Sequence, residues 1–269
     1  MIKCTVIQPS IQCLKGQNIF KMSSLFTYTL RIADSSLILG QRMAEWCSNG
    51  PTLEEDIAMS NISLDLFGQA NGFYEYAAQL DGSKSADELA FKRNEREFFN
   101  HQLAEQENGN FGTTTVRNFL HDAFNLLFYT QLSSSKDETL SALAAKSLKE
   151  VKYHLRHSKN WLIRLGDGTE ESNTKVQDAL ELLWQYTGEL FEMDELDNEL
   201  LNIGIAVDNK ALKLEWDKIV NSTLKKAKLN RPDDGYMATG GKKGMHTEYL
   251  GFLLAEMQFL PRAYPDAKW

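Results

Sequence analysis

The chain has 269 residues, 42% hydrophobic and 25% charged, enough to bury one large core. A net charge of −8, with no Lys/Arg cluster outweighing its local acids, excludes a nucleic-acid surface. Cys4, Cys13 and Cys47 lack CxxC spacing and fit a reducing cytoplasm better than a disulfide framework, and no run of about 18 apolar residues offers a membrane span.

Residues 1–22 contain no continuous apolar stretch of the secretory kind and read as a disordered extension. A single helical domain is expected over 23–269. Its first helix runs from about Ser24 to Asn49 through Leu30, Asp34, Leu37/Ile38, Gln41 and Trp46, and Gly50-Pro51 stops it. Thr52 with Glu55 forms a capping box for a second helix carrying Ile57, Ile62, Leu64, Leu66 and Phe73, which ends at Asp81-Gly82. Ser85 with Glu88 opens a third, continued by FKRNEREFFNHQLAEQ to Asn108-Gly109.

Thr113 to Leu132 is dense in aromatic and leucine residues and reads as a core helix. The longest clean helical period follows, from Ser135 to Leu165, with Ser135 and Glu138 as its capping box and Gly166 as its stop. Thr169 caps a helix expected to reach about Leu201, Asp208 caps another to about Lys228, and a last helix runs from Thr247 to about Ala263. No strand-period run competes. The pattern predicts an all-α fold: a ferritin-like four-helix bundle core with additional helices.

Four acidic residues fall on or beside the apolar stripes of four helices: Asp34, Asp65, Asp122 and Glu150. Ionised carboxylates are costly to bury, so these need hydrogen-bonding partners or a metal. Ferritin-like di-iron proteins supply one Glu from each of two helices and a Glu-x-x-His pair from each of the other two. Here Gly68 follows Asp65 and Tyr153 follows Glu150 where the histidines would stand. None of His101, His121, His154, His157 and His246 has a glutamate three residues before it. Glu97/His101 and Glu150/His154 occur at i, i+4, a weaker signal. The preferred reading is a metal-free, vestigial carboxylate cluster, and the alternative is a divergent di-metal oxygenase in which His154 is an unusual ligand. TGGKKGMHTE places Gly240, Gly241, Lys242, Lys243 and Gly244 before a helix start, where amides and lysines could hold an anion, although P-loop spacing is missing.

Several long stretches carry a resemblance: YTLRIADSSLILGQRMAEWC, EEDIAMSNISLDLFGQA, LAFKRNEREF, EQENGNF, AAKSLKEVKYHLRHS, RLGDGTEES, GIAVD and GGKKGMHTEYLGFLLAEMQFLPRAYP. They span nearly everything after Tyr28, and the chain resembles the C subunits of the multicomponent ring-1,2-phenylacetyl-CoA epoxidases, monooxygenases of bacterial phenylacetate degradation. The resemblance implies a non-catalytic structural subunit, without a cofactor of its own, that supports a homologous catalytic A subunit. That partner would hold the di-iron centre and phenylacetyl-CoA, and a further small subunit and a reductase would complete the complex. It also implies that substrate lies near the contact of the two subunits. Glu97, Phe98, Phe99 and Asn100, with Asn198, Glu199 and Leu200, are then the candidate CoA contacts, although the two acids suit CoA phosphates poorly. A stand-alone CoA-thioester binding bundle is the third reading.

Overall fold

A computed structural model describes the backbone of residues 11–267 and the side chains of residues 23–267. The extension expected over 1–22 lies outside the described side chains. Helix α1 spans Ile11–Ala44 and forms a hairpin with α2, Leu53–Asp81. A second hairpin joins α5, Phe111–Leu132, to α6, Glu138–Gly166. The hairpins face each other through Ser36 and Tyr129 at 3.4 Å and through Met43 Sδ and Asn118 at 2.9 Å, while α2 lies along α6. These four helices are the ferritin-like core, and the described residues contain no strand.

Local chemistry sets the ends. The Thr52 hydroxyl accepts from the Glu55 amide at 3.4 Å, three acids fill the first turn of α2, and Gly82 closes it at φ +70°. At α6 the expected cap is corrected. Asp137 accepts from the Leu140 amide at 2.9 Å, while Ser135 instead donates to the Ile205 carbonyl at 2.8 Å. The carboxylate is the stronger acceptor for an exposed helix N-terminus, and the serine ties the preceding turn to a distant loop.

Three predicted long helices prove to be broken. The segment beginning at Ser85 has its full capping box but stops after α3, Ala86–Phe91. The chain then runs through a 3₁₀ turn at Glu95–Glu97 to the short α4, Gln102–Glu105. The helix predicted to reach Leu201 is α7, Glu170–Trp184, then a 3₁₀ turn at Gly188–Phe191, then α8, Glu195–Asn202, capped by Asp194. After α9, Asn209–Lys226, and a 3₁₀ turn at Gly241–Lys243, the last helix divides at Gln258 into α10, Glu248–Met257, and α11, Phe259–Ala263. In the first two cases buried charges outside the helix take up the freed backbone groups, a tertiary demand that outweighs helix propensity.

The core is continuous from the bundle into the added helices. Trp216 of α9 is wholly buried, donates its indole N–H to the Leu120 carbonyl at 3.1 Å, and meets Phe191 edge to face. None of the helices is long and apolar enough to cross a membrane among the described residues.

Candidate functional site

Asp34, on the inner face of α1, is wholly buried and fully partnered. The guanidinium of Arg93 approaches both of its oxygens, one at 3.1 Å. Tyr74 of α2 donates its hydroxyl at 2.6 Å and the Phe99 amide donates at 2.8 Å. Arg93 is itself held over the Phe98 ring, 4.1 Å from its centroid. The carboxylate therefore has a buried counter-charge and four donors, with its oxygens taken up inside the protein.

The other three acids are placed differently. Half-exposed Asp65 of α2 meets Nε2 of His154 on α6 at 3.0 Å, and His154 is buried. Buried Asp122 of α5 accepts from the Ser158 hydroxyl at 2.7 Å. Burial pushes the Asp122 carboxyl up to about 6, against the nearby His154 and the Ser158 bond, which favour its ionised form. Glu150 accepts from the Gln69 amide at 2.9 Å. Thus the expected cluster separates into a saturated Asp34 pair, a Gln69–Glu150 bond, and an Asp65–His154 and Asp122–Ser158 group.

This donor set does not fit a di-iron centre. A ferritin-like site needs free carboxylate lone pairs and two imidazoles, but Arg93 occupies Asp34, His154 is bonded to Asp65, and His157, the other histidine near Asp122, is bonded to Glu55. No group of three or more His, Cys, Asp or Glu side chains is placed to hold a metal among the described residues. The two i, i+4 pairs also part: extended backbone at Phe98 and His101 takes Glu97 and His101 off any common helix face, and Glu150 and His154 turn to different residues of α2.

The seven candidate CoA contacts are unevenly exposed. Glu97 and Asn198 reach solvent, Phe99 and Glu199 are half-buried, and Phe98, Asn100 and Leu200 lie inside. Glu97 caps the Asn94 amide at 2.7 Å, and Asn198 donates to the Asp194 carbonyl at 2.7 Å. Glu199 lines a surface cleft of about 350 Å³ together with Ser23, Thr27, Arg31 and Asp194. The Arg31 guanidinium closes the inner side of that cleft, bonded to Asp194 at 2.5 Å and to buried Asp197 at 3.2 Å. Burial acts against ionised Asp194, but the Arg31 bond prevails and holds its carboxyl down to about 2.

The glycine-lysine loop does bind an anion, and the anion is the protein's own. The Gly240 and Gly241 amides both donate to Oε1 of Glu189, and the Gln102 amide donates to Oε2 at 2.8 Å. Burial is the largest influence on Glu189 and leaves its carboxyl raised despite these bonds. Lys242 turns inward, reaching the Glu192 carbonyl at 2.7 Å and Asp197 at 3.1 Å. At Gly244, φ +72° and close approach to the Arg96 carbonyl leave no room for a side chain.

A second internal carboxylate, Glu105, accepts from Asn100 at 2.8 Å, from the Thr247 amide at 2.6 Å and hydroxyl at 2.8 Å, and from His246 Nδ1 at 2.8 Å. The other His246 nitrogen meets the Phe98 carbonyl at 2.8 Å. Both of those partners are acceptors, so both ring nitrogens carry protons. Burial lowers the His246 pKa, but the Glu105 bond outweighs it and the net shift is upward. Arg93, Glu105, Glu189 and His246 carry no sign of these roles in the sequence because their partners are far away in the chain. Only the Gly240-Gly241 pair marks any of this in advance.

Nearly the whole chain has known counterparts. Residues 16–269 match the family described as "Phenylacetic acid catabolic protein". The chain is 49% identical over 248 residues to the C subunit of the 1,2-phenylacetyl-CoA epoxidase of Escherichia coli (strain K12), an alignment covering 92% of this chain and 100% of that protein. With its two core hairpins, its acid-bearing inner faces and this extent of match, the chain belongs to the phenylacetic acid catabolic protein family.

Proposed function

We propose that the chain is the non-catalytic structural subunit of a multicomponent, cytoplasmic di-iron phenylacetyl-CoA 1,2-epoxidase, bracing a homologous catalytic A subunit. The observation that carries the reading is Asp34: an inner-face carboxylate saturated by Arg93, Tyr74 and the Phe99 amide is a structural staple and a poor metal ligand. The epoxidase assignment rests on the 49% identity to the Escherichia coli protein. The partner then supplies iron and binds phenylacetyl-CoA, and a small subunit and a reductase complete the system.

Docking has a physical basis in an apolar stripe on α2. Leu53, Ile57 and Leu64 recur near one angular position and remain exposed, with half-exposed Tyr153 on the adjoining α6. A stripe of this kind suits the apolar centre of a stable subunit interface. Any contact with the CoA portion falls to the exposed part of the two candidate segments: Glu97, Asn198 and Glu199 at their surfaces, with Phe98, Phe99, Asn100 and Leu200 holding the backbone beneath.

The test is iron content of the chain purified alone after iron loading, and of the same chain co-expressed with the catalytic partner. Iron near zero alone and about two per heterodimer is the expected result, two irons being the complement of a ferritin-like di-iron site. Near-stoichiometric iron in the isolated chain that disappears in Glu150→Ala would replace this reading by a divergent oxygenase.

A further inference from the structure

Behind the Arg31 pair lies a cavity of about 40 Å³, between α1, α5 and the residues leading into α4 and α9. It is distinct from the four inner-face acids, none of which lines it. Its wall includes the rings of Tyr28, Phe124, Phe128 and Tyr129, and it carries buried polar atoms that have no hydrogen-bond partner among the described residues. These are His121 Nε2, Asn209 Oδ1, His101 Nδ1 and Arg31 Nε. His121 is 2% exposed and Asn209 5% exposed, so bulk water does not satisfy them. Leaving several such atoms unpaired is costly, so each calls for a partner.

The protonation pattern defines what would fit. The Asn125 amide nitrogen, which is only a donor, bonds His121 Nδ1 at 3.0 Å. The proton of the neutral imidazole is therefore on Nε2. Burial pushes His121 down to about 4 and His101 well below its ordinary value, so both rings are uncharged at neutral pH. Nearby, Arg31 and Lys242 are balanced by Asp194 and Asp197. The chamber thus offers donors at His121 Nε2 and Arg31 Nε, an acceptor at Asn209 Oδ1, and no net charge to attract an ion.

We infer that this chamber is a binding site for uncharged hydrogen-bonding molecules of at most about three or four non-hydrogen atoms, entering past Arg31 from the cleft beside Glu199. The size follows from the volume, since a water needs about 10–15 Å³ of this measure. A cluster of about three waters and a single small amide or hydroxylic solute share this chemistry. Arg31 lines both the chamber and the outer cleft, so movement of one side chain would join the two.

The experiment is a crystal structure of the full chain, alone or with its partner, before and after soaking in formamide, together with a formamide titration followed by the Asn209 side-chain amide and His101 ring-nitrogen resonances, which every His121 variant keeps. Expected is density within about 3.2 Å of both His121 Nε2 and Asn209 Oδ1 in the unsoaked crystal. Displacement of that density by formamide, with a saturable shift of the Asn209 and His101 resonances, identifies a solute site; density that formamide leaves in place identifies water as the occupant. His121→Phe should abolish the shift or weaken formamide at least tenfold, whereas His121→Gln, which keeps a donor, should retain it within about threefold. A dry or collapsed chamber in the unsoaked crystal overturns the inference, and so does a saturable shift that His121→Phe leaves unchanged.

Discussion

Replacing Arg93 by Met tests the buried pair that underlies the functional reading. Asp34 is 0% exposed and Arg93 4% exposed, so the substitution strands a carboxylate where water does not reach it. Breaking such a pair from one side costs about 3–5 kcal/mol. Tyr74 and the Phe99 amide continue to donate, and the Met stem still covers Phe98, which places the loss near the lower end, at about 3 kcal/mol or more than a hundredfold in the folding constant. Equilibrium urea unfolding followed by far-ultraviolet circular dichroism measures it. The double variant Asp34→Leu/Arg93→Met removes both charges but leaves the Tyr74 hydroxyl and the Phe99 amide without their acceptor, so it should fall below the parent yet lose clearly less than the sum of its two singles. A single variant that loses less than about 1 kcal/mol, or a double variant no better than the sum of its two singles, would refute the staple.

Three further outcomes follow from named contacts. The His246 pKa is raised above its ordinary 6.5, so its stabilising contribution is complete below 6.5 and declines as pH rises through the folded value; the stability lead of the wild type over His246→Gln should shrink as pH is raised above 6.5 in urea titrations. Asp122 rises from 3.8 to about 6, so its ionisation penalty is absent below 3.8 and complete above about 6. Asp122→Asn should therefore gain up to about 3 kcal/mol at pH 8 and nothing at pH 3.5, and equal gains at both would contradict the burial argument. Leu64→Asp, placing a charge on the exposed α2 stripe, should leave the unfolding free energy within about 0.5 kcal/mol yet abolish co-purification with the proposed catalytic partner, and intact co-purification would remove α2 from the interface.

The four bundle helices were legible because each carries an apolar helical period, and some of them end signals as well. α2 shows this most plainly, with Thr52 at its start, Gly82 at its end and the buried Ile62, Leu66 and Phe73 between. What failed was continuity through FKRNEREFFNHQLAEQ and through residues 185–201. Those stretches have helix-compatible residues, but Arg93 and the Phe99 amide are drawn to Asp34, and Glu189 is drawn to the Gly240 and Gly241 amides. Such partners lie at least 50 residues away along the chain, beyond any local periodicity. The acids of the inner face were identifiable from their helical positions, but the counter-charge that decides what Asp34 does was not. Nor did the sequence mark the chamber around His121, because α1, α5 and the start of α9 meet there only after folding.

The three internal acids Asp34, Glu105 and Glu189 share one physical role. Each accepts from a backbone amide of an irregular segment: Phe99, Thr247, and Gly240, Gly241 and Gln102 respectively. A loop buried against a bundle must find partners for its amides, and a carboxylate is the strongest acceptor a side chain offers. Desolvating that carboxylate is expensive, and each site lowers the cost by concentrating several donors on two oxygens. The same geometry makes the segments mutually dependent, because the region from Arg93 to Glu105 receives Asp34 from α1 and Glu189 from the turn before α8, and itself presents Glu105 to the residues that open α10. A surface made of these segments keeps its shape without long helices of its own. In the role proposed above, that is the mechanical property required: holding the contour of a partner's site while leaving the chemistry to the partner.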